Sequence, residues 1–162
     1  DSGGVYVVPA LAGLGAPHWD QSARGAILGL TRGSSSAHIT RAALESICYQ
    51  VNDLVKAKEA DSGLKVSEMR VDGGAVVNNL LMQFQADIMQ HTKVVRPQVL
   101  ETTALGAAYL AGLAVGFWKD IDELKAKWSC ERVFESEMEK ERADKFIRGW
   151  NKALGRAKNW EE

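Results

Sequence analysis

Through the middle of the chain, short apolar runs with the period of β-strands alternate with helical periodicities, and glycines separate them. Residues 69–72 read as a strand that ends at Gly73 and Gly74, and apolar residues at helical spacing follow this pair. A strand over residues 92–95 and a helix over residues 102–115 repeat the pattern. Strands that alternate with helices and are joined by glycine turns predict a layered α/β domain.

The first third of the chain predicts two more strands and one long helix. Residues 5–8 and 26–30 are short apolar runs typical of strands, and a loop rich in glycine, alanine and proline separates them. Residues 37–60 have the apolar spacing of an amphipathic helix, with Ser36 as the expected N-cap. The Asp-Ser-Gly sequence at residues 61–63 is expected to end this helix.

The last part of the chain has a different pattern, which predicts helices alone. The pairs Asp120/Glu123 and Ser136/Glu139 have the spacing of capping boxes, so a helix is expected to start near each pair. We therefore predict an α/β unit over residues 1–118 and a helical extension over residues 119–162. An apolar stripe is expected to dock the last helix on the α/β unit: Phe146, Trp150, Ala153, Leu154 and Ala157.

Composition indicates which partners and which cellular compartment to expect. Twenty Lys and Arg residues against 21 Asp and Glu residues give a net charge of -1, so nucleic acid is not an expected partner. Cys48 and Cys130 lie far apart and predict reduced thiols in the cytoplasm. The N-terminus has no secretory pattern and reads as a boundary rather than a natural start. The apolar stretch over residues 104–118 is shorter than the ~20 residues that cross a bilayer, so we expect no membrane span and a buried helix instead.

The glycine pair at residues 73 and 74 is the first candidate for chemistry. A glycine turn between a strand and a helix lets a ligand approach the backbone, and a helix N-terminus favours phosphate or ribose. Asn78 and Asn79, expected within the first helical turn, can each donate and accept a hydrogen bond. By itself a Gly-Gly pair is a weak signal, because most such pairs are simply tight turns.

Other segments favour structural roles. The loop over residues 11–25 lacks the third glycine of a dinucleotide fingerprint, so we reject a Rossmann interpretation. His18 is expected to be a packing residue rather than the partner of Asp20 in an acid/base pair, and Arg24 is expected to pair with a nearby acid such as Asp20. The helix that follows Glu101 is interpreted as a capped packing helix, and the mixed charges of residues 131–145 as a solvated helix face.

Several of these segments together resemble the FGGY family of carbohydrate kinases. Gly-Ala-Ile-Leu-Gly-Leu at residues 25–30 and His-Ile-Thr-Arg-Ala-Ala-Leu-Glu at residues 38–45 resemble the family's second signature. Residues 9–20 with 23–25, and residues 70–74 with Asn78 and Asn79, resemble the members of the family that phosphorylate glycerol. The resemblance extends from Val5 to about Trp160.

The resemblance implies the C-terminal part of an actin-like ATPase fold, in which two ribonuclease-H-like domains close over MgATP and substrate. It implies that the glycine turn is the adenosine motif, with Gly74 and Asn78 as the main nucleotide contacts and Gly73 as a secondary one. It also places the helix over residues 102–115 near the interdomain hinge.

The resemblance further implies which parts of the enzyme lie outside this chain. The phosphate motifs, the glycerol-binding residues and the general base of the family lie upstream, so no catalytic residue and no metal ligand is assigned. ATP or ADP, Mg²⁺, glycerol and the N-terminal part are implied partners of the intact kinase, and the chain alone is expected to be inactive. Two alternatives stay open: another sugar kinase of the family, such as one acting on a pentulose, and a noncatalytic interaction module. Association into a homo-oligomer is also left open.

Overall fold

The computed structural model describes residues 1–161 and confirms the α/β class. None of the helices formed by these residues is long and apolar enough to span a lipid bilayer. Within the described residues there are five strands: β1 (Tyr6–Val8), β2 (Ala26–Leu28), β3 (Glu68–Arg70), β4 (Lys93–Pro97) and β5 (Cys130–Phe134). The same residues form five α-helices: α1 (Ser36–Ser62), α2 (Asn79–Met89), α3 (Thr102–Ala114), α4 (Ile121–Ala126) and α5 (Lys140–Ala157).

The strands form two small sheets. β1 and β2 pair in antiparallel fashion, with Tyr6 opposite Leu28. In the second sheet β4 lies in the centre, parallel to β3 and antiparallel to β5. Because parallel neighbours need a crossover, α2 connects β3 to β4 across one face of this sheet. This unit is the predicted strand, glycine turn, helix and strand.

Helix α1 has nearly the predicted bounds. Its N-cap is Ser35 rather than Ser36, with an extended backbone (φ -122°, ψ 169°), and the His38 ring accepts a hydrogen bond from the Ser35 N–H. At the other end Gly63 adopts a left-handed conformation (φ 68°), and its N–H donates to the Glu59 carbonyl at 2.9 Å. A glycine in this conformation is a common helix stop, which explains why the sequence located this end well.

An aromatic cluster joins α1, α2 and α5. The ring of Trp150, which is fully buried, stacks on Tyr49 with centroids 5.2 Å apart, and Phe84 packs edge-on against Tyr49 at 5.6 Å. The predicted docking of α5 by its apolar stripe is therefore confirmed. Burying a large aromatic side chain of this kind stabilises a fold by roughly 1.5–3 kcal/mol.

Helix α3 forms where it was predicted, but the expectation that it is buried was wrong. Leu110 is 72% exposed, and only Gly112 is buried among the residues of the helix. Gly112 lies against the Trp118 ring rather than against a sheet, and a side chain at Gly106 would meet no other atom within 4 Å. An apolar sequence indicates that a helix should be covered, but within residues 1–161 most of α3 stays exposed.

The region after residue 118 contains a strand as well as helices. Asp120 caps α4 by accepting a hydrogen bond from the Glu123 N–H, as its spacing predicted. The helix predicted to start near Ser136 starts instead at Lys140, and its N-cap residue is Glu139 rather than Ser136. The expectation of a solvated helix face over residues 131–145 was wrong for residues 131–134, which belong to strand β5 and pair with β4. The proposed boundary at residues 118 and 119 stays a prediction, and residue 162 lies outside the described residues.

Candidate functional site

The glycine turn follows β3 and has two different glycines. Gly73 has φ 81° and ψ 174°, a backbone region that is accessible almost only to glycine. Its N–H donates to the Leu100 carbonyl at 2.8 Å, which ties the turn to the segment before α3. Gly74 begins a short 3₁₀ helix, the Gly74–Val77 turn, and a side chain built on it would meet nothing within 4 Å. The backbone at Gly74 is therefore open to a ligand.

Asn78 lies between this turn and α2, where it acts as the helix N-cap. Its Oδ1 accepts hydrogen bonds from the N–H groups of Leu80 (3.1 Å) and Leu81 (3.2 Å). The expectation that Asn78 lies inside the first helical turn and is free to accept was therefore wrong. Within residues 1–161 its Nδ2 amide has no hydrogen-bond partner, so Asn78 can still donate to a ligand. Asn79 is the first residue of α2 and is exposed.

The N-terminus of α3 lies beside the glycine turn. The Thr102 hydroxyl donates to the carboxylate of Asp72, the residue that precedes the two glycines. Glu101, the N-cap residue of α3, makes no side-chain cap, contrary to the capped helix that was expected. The site therefore consists of two backbone segments, one after each parallel strand, joined by a hydrogen bond between side chains.

Sequence reasoning missed one residue behind the turn, Arg96 on β4. Its guanidinium donates to the Val76 carbonyl inside the turn at 2.7 Å, and Arg96 is only 7% exposed. A cavity of about 240 Å³ lies next to it, bordered also by Asn79 and Leu100. An arginine directly after the two apolar strand residues Val94 and Val95 was the available signal, because arginine is rarely buried without a partner.

In the loop over residues 11–25, His18 is a packing residue, as expected. The His18 Nε2 atom lies 3.1 Å from Asp53 Oδ2, which also accepts a hydrogen bond from the Trp150 indole at 2.7 Å. No metal site is formed in the part of the chain that the structure describes, since no group of three or more His, Cys, Asp or Glu residues comes together there.

The expected pairing of Arg24 with Asp20 was wrong. Arg24 pairs with Glu161, its Nε donating to Oε1 at 2.8 Å. Asp20 instead accepts backbone hydrogen bonds from Asn159, Ser22 and Ala23, and these lower the pKa of its carboxyl.

Comparison with known proteins places this geometry in a family. Residues 1–115 match the model of the C-terminal domain of the FGGY family of carbohydrate kinases. The chain is 64% identical over its whole length to the glycerol kinase of Parabacteroides distasonis and 62% identical to that of Fusobacterium nucleatum. It spans about a third of the length of these curated relatives, 32% in both.

Solved structures agree with this result. The chain resembles Plasmodium falciparum glycerol kinase with ADP, at a TM-score of 0.84 and 39% identity, over 97% of this chain and 31% of that one. Gluconate kinase from Lactobacillus acidophilus has a TM-score of 0.71 at 24% identity, over 95% of this chain and 30% of that one, and shares the fold. These likenesses confirm the predicted actin-like ATPase fold. The chain thus belongs to the FGGY family of carbohydrate kinases.

Proposed function

We propose that this chain is the C-terminal third of a glycerol kinase and that it supplies the adenosine side of the nucleotide site. The observation that carries the proposal is the open glycine turn, in which Gly74 leaves its backbone uncovered between a parallel strand and a helix. Support comes from the likeness to a glycerol kinase crystallised with ADP. In the whole enzyme the reaction is the transfer of the γ-phosphoryl group of ATP to glycerol, giving glycerol 3-phosphate and ADP.

In this proposal Gly74 and Asn78 contact the nucleotide in different ways. Because Gly74 has no side chain, a ribose or base can lie directly against its backbone. Asn78 Oδ1 is already occupied by the two N–H groups of α2, so the ligand contact is a donation from Nδ2. The ring nitrogens of adenine are acceptors that suit such a donor. Gly73 acts indirectly, since its conformation sets the direction of the turn.

The remaining chemistry is assigned to the preceding two thirds of the enzyme. Mg²⁺, bound with the nucleotide, neutralises charge on the phosphates during transfer. We assign its protein ligands, the glycerol contacts and the general base to residues that precede this chain. The chain alone is then inactive, because phosphoryl transfer needs both sides of the cleft in line. The free thiols of Cys48 and Cys130 support a cytoplasmic location for the enzyme.

Sequence identity favours glycerol over the other substrates of the family. The chain is 62–64% identical to the two glycerol kinases but 24% identical to the gluconate and xylulose kinases of Lactobacillus acidophilus. A pentulose kinase is therefore the weaker alternative.

The test is a chimera in which this chain replaces the corresponding C-terminal third of the Parabacteroides distasonis enzyme. We expect glycerol-dependent release of ADP from ATP. In Asn78→Asp the aspartate keeps the helix cap, since it is an equally good N-cap, but removes the donor. The KM for ATP is expected to rise by about tenfold, roughly the effect of one hydrogen bond, while the KM for glycerol stays the same.

Asn79→Asp is the matched control, because it makes the same charge change at the next residue, the first of α2. It is expected to leave the KM for ATP within about twofold, since charges on exposed side chains interact weakly. A folded but inactive chimera would contradict the proposal, as would equal effects of the two substitutions on the KM for ATP.

A further inference from the structure

Arg96 is a buried cation directly behind the glycine turn. Its Nε donates to Glu131 Oε2 at 2.6 Å and its Nη1 to the Val76 carbonyl at 2.7 Å. The guanidinium also lies over the Phe134 ring, 5.3 Å from the centroid. Arg96 thus links β4, which carries it, to β5 and to the turn.

The hydrogen bonds that begin and end the turn are long, so a partner from outside the turn stabilises it further. Within it, the Val76 N–H reaches the Gly73 carbonyl at 3.3 Å, and the Asn78 N–H reaches the Ala75 carbonyl at 3.2 Å. Val76 is buried, so its carbonyl would lose a partner without Arg96. The bond from Arg96 is shorter and carries a full positive charge, which makes it the stronger one.

Both bonds depend on the planar shape of the guanidinium. One edge meets the carboxylate of Glu131 while another nitrogen of the same plane meets the carbonyl of Val76. A lysine offers a single ammonium at the end of a flexible chain and does not reproduce this two-point contact. The bond to Arg96 also holds the pKa of the Glu131 carboxyl below its usual value, so this carboxylate stays ionised at neutral pH.

We propose that Arg96 is a positioning residue for the nucleotide site. It holds the Gly74–Val77 turn, and with it the backbone of Gly74 and the side chain of Asn78, in the shape that the nucleotide meets. It acts through the Val76 carbonyl rather than by touching the ligand. This inference rests on the proposed function.

Amide hydrogen exchange of the 162-residue chain, without any nucleotide, tests whether Arg96 stabilises the turn. In Arg96→Met, exchange at the amides of Val76 and Asn78 is expected to be about tenfold faster than in the unaltered chain, because the turn loses its charged hydrogen bond. Arg96→Lys is expected to restore only a small part of the protection.

Arg132→Met is the matched control. Arg132 lies over the same Phe134 ring, 4.5 Å from its centroid, but within residues 1–161 it forms no hydrogen bond with the turn. It should leave exchange at Val76 and Asn78 unchanged. Unchanged exchange at these two amides in a folded Arg96→Met chain would overturn the inference. Equal acceleration throughout α1 would do the same, because it would indicate general destabilisation.

The chimera tests the nucleotide part. Arg96→Met is expected to raise the KM for ATP several-fold with the KM for glycerol unchanged, whereas Arg132→Met changes neither. If the unaltered chimera uses ATP and Arg96→Met leaves the KM for ATP unchanged, this inference alone is refuted. If the unaltered chimera is folded but does not use ATP, the proposed function is refuted, and the nucleotide role of Arg96 with it.

Discussion

The two glycines of the turn should respond to alanine in opposite ways. Gly73 lies at φ 81° and ψ 174°, where a residue with a Cβ costs about 1–3 kcal/mol. Alanine also lowers the conformational entropy of the unfolded chain, which stabilises the folded state by about 0.4–1 kcal/mol. Gly73→Ala is therefore expected to lower the free energy of unfolding by about 1–2 kcal/mol.

In Gly74→Ala the backbone strain is absent, so only the stabilising restriction of the unfolded chain remains. A Cβ at Gly74 meets nothing within 4 Å, so stability should be unchanged or higher by up to about 1 kcal/mol. The same methyl group would stand where the nucleotide is proposed to lie. Gly74→Ala is therefore expected to weaken nucleotide binding without weakening the fold.

Thermal unfolding followed by circular dichroism, together with titration of MgADP, separates the two effects. For a chain of this size 1 kcal/mol corresponds to a Tm shift of about 2–4 °C, so Gly73→Ala should lower the Tm by about 2–8 °C. Gly74→Ala should keep or raise the Tm. Equal losses of Tm in the two variants would refute the reasoning from backbone conformation. Unaltered ADP affinity in Gly74→Ala would refute the placement of the ligand.

The remaining predictions concern α5 and the end of α1. Gly149→Ala should lower the Tm, because the new methyl group overlaps the Tyr6 hydroxyl at a cost of about 1–3 kcal/mol that outweighs a helix-propensity gain of about 1 kcal/mol. Gly155→Ala in the same helix meets no atom within 4 Å and should raise the Tm. Near the end of α1, hydrogen bonds from His91 and from a backbone N–H lower the pKa of Glu59 from 4.5 to about 2. The ionised Glu59 carboxylate therefore stabilises the fold above pH 4.5, and this stabilisation is lost as the pH falls toward 2. Urea midpoints of the unaltered chain should therefore fall more steeply below pH 5 than those of Glu59→Gln.

These two predictions have clear contrary outcomes. If both alanine variants of α5 shift the Tm in the same direction, the overlap with Tyr6 has been accommodated without cost. If the pH series of the Glu59→Gln chain runs parallel to that of the unaltered chain, the ionised carboxylate of Glu59 contributes nothing to stability.

The parts of the fold that the sequence predicted well are those whose signals are local. Helix α1 has a long apolar period and a glycine that must adopt a left-handed conformation at Gly63, so both ends were located within two residues. The α5 stripe was equally clear, since Trp150 and its neighbours lie on one face. Periodicity of this kind needs no knowledge of distant elements.

The parts that were missed depend on partners far along the chain. In β5 only Phe134 is buried, so no apolar run marked the strand, and its pairing with β4 decides its conformation. The pair Ser136 and Glu139 had capping spacing, but the Ser136 hydroxyl bonds to Gln90 instead. Long-range contacts of this kind have no signature within a short window of sequence.

The candidate site divides in the same way. The resemblance to the family pointed to Gly74 and Asn78, but not to the use of Asn78 Oδ1 as a helix cap, which follows from where α2 begins. Arg96 was missed because its partner carbonyl lies 20 residues earlier in the sequence. The sequence shows an arginine next to apolar strand residues, but it does not identify the carbonyl that the arginine contacts.

The contact between Arg24 and Glu161 has a consequence for the order of folding. The two residues are 137 positions apart, and the Asp20 carboxylate also accepts the Asn159 N–H across 139 positions. During synthesis the loop around Asp20 and Arg24 emerges before residues 159–161, so it cannot complete these bonds until those residues follow. Chains stalled at increasing lengths should therefore be cut by trypsin after Arg24 until Glu161 is present, and early protection would contradict this. The loop therefore becomes native only after the end of α5 and the residues that follow it have been made.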